Sequence, residues 1–120
     1  MARTPFAHDA VVAMQSGGDP NALGGAITLA LCGSWDHPPP CSLAPHYVTS
    51  TSIGETVTLR VLFATEPANE QRVRALIGEA LMTGHLAVPD GGVAIWQLRS
   101  ESAGEIRADE QDHAAQLVAH

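Results

Sequence analysis

The chain contains no lysine: its six cations are the arginines Arg3, Arg60, Arg72, Arg74, Arg99 and Arg107, set against 13 acidic residues for a net charge of −7. So few cations cannot displace the counterions of a phosphate backbone, and nucleic acid and anionic membrane are therefore not expected partners. Long apolar runs are missing too. Nothing approaches the roughly 20 residues that a membrane-spanning helix needs, and His8 and Asp9 interrupt the apolar residues near the N-terminus before they could form the core of a signal peptide. A cytoplasmic location is the expectation. Cysteine is scarce, with two residues nine positions apart, which in a reducing cytosol serve as thiols or metal ligands more often than as a stable disulfide. Charge is sparse overall, at 16%, while 45% of the chain is hydrophobic. That balance rules out disorder by composition, and 120 residues fit one core, so 1–120 reads as a single domain.

Along the chain, Phe6, Ala10 and Met14 share a helical face with Val11 and predict a first helix over 6–15. Ser16 to Asn21 stack turn residues that end it, so 1–24 is read as an N-terminal helix and turn. In the segment 25–32 the large apolar residues Ile27, Leu29 and Leu31 alternate, as in a half-buried strand that would leave Cys32 opposite the main core. A stronger strand is expected from Thr56 to Ala64, where Val57, Leu59, Val61 and Phe63 alternate with more polar positions, preceded by a β-forming piece at 47–52.

The period then changes to 3.6. Thr65-Glu66-Pro67 opens a long helix whose buried stripe is Val73, Leu76, Ile77, Ala80 and Leu81, and Gly84 is its expected left-handed stop. Val93 to Leu98 is apolar on both faces and needs cover on both. The long helix would supply one cover, and the first helix or a second subunit the other, which makes a homodimer an expectation. From Glu101 the chain is acidic and alanine-rich, so 101–120 reads as a tail or a short terminal helix. The expected fold is α+β, with its core at 25–100. It is a two-layer domain with a mainly antiparallel sheet of three or more strands and one long helix, in the order helix-strand-loop-strand-helix-strand.

Chemistry concentrates in one stretch, where both cysteines and two of the six histidines fall within fifteen residues in the spacing C-x4-H-x3-C-x4-H. Thiolate sulfur and imidazole nitrogen are the ligands zinc prefers, so Cys32, His37, Cys41 and His46 are the candidate metal ligands, closing a structural tetrahedral site. Three consecutive prolines, 38 to 40, reduce the entropy lost when the loop is fixed. Asp36 could orient an imidazole, and Trp35 and Tyr47 could shield the ion or meet a protein or small-molecule partner. Other readings of the same residues stand beside this one. In one, Cys32 is a small buried hydrophobe and the histidines are solvated; in another, Cys32 and Cys41 form a disulfide. A third pairs Cys41 with His37 or His46 as nucleophile and base. At the level of function the alternatives are a hydrolytic-type enzyme with an open zinc position, and a metal-free dimerisation or binding module using the apolar face around Trp96. The scattered His8, His85, His113 and His120 read as surface residues, and Glu66, Glu70 and Glu79 as a solvated helix face.

Overall fold

A computed structural model describes residues 3–14, 19–32, 44–87 and 92–119. The elements run β1 (Thr4–Met14), α1 (Asn21–Cys32), β2 (His46–Ile53), β3 (Thr56–Thr65), α2 (Glu70–Thr83), β4 (His85–Ala87), β5 (Val93–Gly104) and α3 (Gln111–Ala119). Single 3-10 turns, Pro67–Asn69 and Ala108–Glu110, lead into α2 and α3. The five strands form one sheet in the order β2-β3-β1-β5-β4, every neighbour antiparallel.

Helix α1 joins β1 to β2 across β3, and α2 leads from β3 towards β5 across β1, so each helix connects strands that are not neighbours. This is the split βαβ, or ferredoxin-like, arrangement. Both connecting helices lie on one face. Leu23, Ile27 and Leu31 of α1 and Val73, Ile77 and Leu81 of α2 pack with Val12, Leu59, Val61, Phe63 and Trp96 of the sheet in one core. Each such aliphatic side chain taken from water contributes about 1.5 to 3 kcal/mol, which fastens the helices to the sheet. On the outer face, α3 sets Leu117 against Ala7, Leu62 and Ala64 in a smaller cluster.

The fold is the expected two-layer α+β domain with an antiparallel sheet and one long helix, and Gly84 ends that helix at φ 78°. Three segments depart from expectation. Of residues 6–15, read as a helix, 6–14 belong to β1 and residue 15 lies outside the described residues. Phe6, Ala10 and Met14 recur at four, but Phe6, Ala10, Val12 and Met14 also lie on one pleat, and His8 breaks that alternation as a polar residue buried on the core side. Residues 25–32, read as a strand, belong to α1. The spacing that matters there is Leu23, Ile27, Leu31, a stripe at four that packs towards α2, and the pair Gly24-Gly25 obscured it because glycine is costly inside a helix. The tail divides between the two expectations and the sheet: 101–104 complete β5, and 111–119 are the terminal helix. The expected element order therefore becomes strand-helix-strand-strand-helix-strand-strand-helix.

Strand β5 carries an irregularity that positions chemistry. Val12 faces Leu98 while Val11 faces Ser100, so Arg99 is an extra residue in the ladder. A bulge of this kind shifts the alternation by one and re-aims every later side chain. Trp96 and Leu98 face the helices before it, and Glu101 does so after it.

Candidate functional site

Of the proposed metal ligands, the described residues include the backbone of Cys32, at the last turn of α1, and His46, the first residue of β2. His37 and Cys41, with Trp35 and Asp36, lie outside the described residues. The His46 ring is held at both nitrogens. Nδ1 lies 3.0 Å from the Ala44 carbonyl, which can only accept, so Nδ1 carries the proton. Nε2 then presents its lone pair to α1, where the Thr28 hydroxyl donates to it at 2.9 Å. Position 32 is one helical turn beyond Thr28. The return of the chain is anchored as well: Ala44 and Pro45 are buried, and the Pro45 carbonyl accepts from the Ala64 amide at 3.0 Å. Strand alternation sends Tyr47 to the opposite face, where its ring packs 4.2 Å from that of His113 on α3, so α3 is what Tyr47 touches.

Two polar clusters elsewhere were not visible in the sequence. His8, expected at the surface, is 5% exposed on the helical face. Its Nδ1 is 3.1 Å from Arg74 Nη1 and its Nε2 is 2.8 Å from Glu101 Oε1. A guanidinium only donates, so Nδ1 accepts and Nε2 donates its proton to the carboxylate. Arg74 also donates to the Ala7 carbonyl at 2.7 Å and to Glu70 at 2.8 Å, and its guanidinium lies over the stacked rings of Phe6 and Phe63. Glu70, read as part of a solvated face, is thus one end of a chain that runs Glu70, Arg74, His8, Glu101. The Glu101 carboxylate lies across α2 at Gly78, where a β-carbon would stand 3.0 Å from both its oxygens.

On the outer face Arg60 is 9% exposed, with every nitrogen engaged. Nε and Nη2 hold the Glu110 carboxylate in a two-pronged pair at 2.8 and 2.7 Å, Nη1 donates to Asp9 at 2.8 Å, and Nη2 also donates to the Glu105 carbonyl. Glu110 reaches back to accept from the Arg107 amide at 2.9 Å. The Arg60 guanidinium holds the Glu110 carboxyl down from an ordinary 4.5 to about 2, against the opposing effect of burial. The two carboxylates raise Arg60 above its already high value.

Among the described residues no group of three or more histidine, cysteine, aspartate or glutamate side chains could hold a metal ion, and no helix is long and apolar enough to cross a membrane. An open groove of about 590 Å³ runs between the end of α2 and β5, with Met82, Trp96 and Leu98 along it and Glu101 at one end. The signal for Glu101 would have been the extra residue in β5, which only the pairing with β1 reveals.

No family model matches the sequence, and no curated protein does. Among solved structures the chain is similar to a hydantoinase/carbamoylase family amidase from Burkholderia ambifaria, at 11% identity and a TM-score of 0.37 over 96% of this chain and 32% of that one. It is also similar to a dinuclear metal binding peptidase of the M20 family from Bacillus subtilis, at 14% identity and a TM-score of 0.36 over 98% and 32%. The chain thus spans about a third of the length of these proteins, and a likeness this distant assigns it neither their activity nor their metal.

Proposed function

We propose that this chain is a metal-binding domain in which Cys32, His37, Cys41 and His46 hold one zinc ion. The ion pins the segment between α1 and β2 and presents Trp35 and Asp36 to a protein or small-molecule partner. The observation that supports this reading is the setting of His46. Its Nδ1 proton is committed to a backbone carbonyl, the arrangement that fixes a ligating histidine's tautomer and leaves Nε2 as the donor atom. That donor atom faces α1 one turn before Cys32, so the first and last of the four ligands belong to the same end of the domain. For Nε2 to take the ion, the Thr28 side chain must turn about its Cα–Cβ bond, so that the hydroxyl oxygen, 2.9 Å from Nε2, leaves the lone pair's direction. The cytoplasm suits the proposal, because both thiols stay reduced there.

Elemental mass spectrometry on chain purified without chelator or added metal tests the reading. About one zinc per chain, lost in Cys32→Ser and in Cys41→Ser together with a fall in melting temperature, is the expected result. A metal-free protein, or a Cys41→Ser variant that keeps its stoichiometry and melting temperature, overturns it. X-ray absorption at the zinc edge then separates the two metal classes: four protein ligands make the site structural, while three plus water make an open position suited to hydrolytic chemistry.

A further inference from the structure

Among the described residues, only half of the sheet's outer face is covered. Helix α3 lies over Ala7, Leu62 and Ala64, whereas the half towards the β2–β3 turn and the start of β5 has no described element upon it. Across that half, Ile53 pairs with Thr56, Thr56 with Ala13, and Ala13 with Gln97, one row of side chains on the same side of four strands. Val11 lies in the next row, and Ile95 projects two positions beyond Gln97. Ile53 and Ile95 are 77% and 65% exposed. Sheet faces left in this state are uncommon in a chain that works alone.

Charge argues for what covers it. In a molecule of net charge −7, most surfaces brought against a second copy would set acid against acid. Among the described residues, His85 on β4 stands opposite Ile95, and the charged side chains beside this row are Arg99 and Glu55, which line one shallow cavity with Ala13 and Ile95. Neither makes an ion pair within the described part of the chain. A patch with one cation and one anion is self-complementary under a two-fold rotation, since each copy's Arg99 can meet the other's Glu55 and both contacts form at once.

We infer that this half-face is an interface with a second copy of the chain, the two sheets packing outer face to outer face with Arg99 of each set against Glu55 of the other. The inference stands apart from the metal site, and the dimer persists in chelator. It also supplies the second cover for β5, whose helical face is buried at Trp96 while Ile95 is bare.

Sedimentation equilibrium of the full chain tests it. The wild type is expected to be a dimer at about 100 μM, with Ile95→Asp a monomer of unchanged circular dichroism. Arg99→Glu and Glu55→Arg should each weaken association at least about tenfold, equivalent to about 1.4 kcal/mol. An equimolar mixture of those two variants should dimerise, because both reciprocal contacts then join opposite charges again, and the double variant should recover as well. A monomeric wild type, an Ile95→Asp dimer, or single variants that fail to restore each other overturns the inference.

Discussion

Residues 8 and 9 are consecutive on β1, and each belongs to a polar cluster on a different face of one sheet. Both clusters contain one arginine and two carboxylates: Arg74 with Glu70 and Glu101 on the helical face, Arg60 with Asp9 and Glu110 on the outer face. What separates them is the imidazole. On the outer face the guanidinium touches both carboxylates directly and ties α3 to the sheet. On the helical face an imidazole stands between Arg74 and Glu101, so the charge at the groove is two hydrogen bonds away from its counter-charge. The outer arrangement acts as a lock, because separating its parts leaves an uncompensated ion beneath a helix. The inner one holds Glu101, whose side chain is 29% exposed, in a fixed place at the end of a groove while leaving it open to water.

Both clusters press against a glycine. A β-carbon on Gly104 would collide with Asp9 and stand 3.0 Å from Arg60 Nη1, and one on Gly78 would meet Glu101. The sheet and α2 each give up a side chain so that an ionic group can lie flat on the backbone.

The largest expected effect comes from breaking the lock. Arg60→Met leaves Asp9 and Glu110 facing each other without a cation and should cost about 3 kcal/mol in urea denaturation, with amide exchange rising first in α3. A loss below about 1 kcal/mol would mean that the pair is no stronger than an exposed surface bridge. Acid probes the same lock with less disturbance. Glu110 has a lower carboxyl pKa folded than unfolded, so it contributes stability above its ordinary 4.5, and that contribution is lost as the pH falls towards about 2. Glu110→Gln should cost about 2 kcal/mol at neutral pH and flatten the stability profile between those two values. A profile with an unchanged slope would assign the acid sensitivity to another group.

How much of this was legible in the sequence follows from how local each signal is. Helix α2 carries its own punctuation, Pro67 before its first turn and Gly84 after its last, with a stripe long enough to fix the period. β3 alternates from Thr56 to Val61. β1 and α1 exchanged identities because each is apolar enough to satisfy both periods, and the deciding facts are distant. His8 is tolerated on the core side of β1 only because Arg74, 66 residues on, and Glu101, 93 residues on, satisfy its ring. The same distance hid the helical-face cluster, since Glu101 reaches it only through the extra residue at Arg99. The Cys/His stretch proposed to bind metal was legible only as a spacing. The setting of His46 was not, because the Ala44 carbonyl fixes its tautomer and its Nε2 meets Thr28, a residue that alternation places on a strand.

The smallest effect sharpens the inner half of the comparison. Alanine is about 1 kcal/mol better than glycine inside a helix, so Gly78→Ala ought to stabilise α2 if nothing lay above it. With Glu101 in place, the new methyl would stand 3.0 Å from both carboxylate oxygens, and the carboxylate must give way. Because it is partly exposed, it can turn to water, at the cost of its hydrogen bond from His8, and the gain in helix propensity is offset. Gly78→Ala should therefore be neutral or up to about 1 kcal/mol destabilising alone, yet stabilising by about 1 kcal/mol in a Glu101→Ala background. The coupling in that double-mutant cycle, measured by thermal or urea denaturation, reads how firmly His8 holds the carboxylate on the helix. A coupling near zero would show Glu101 to be a mobile surface acid, and the two clusters would then differ in order as well as in charge.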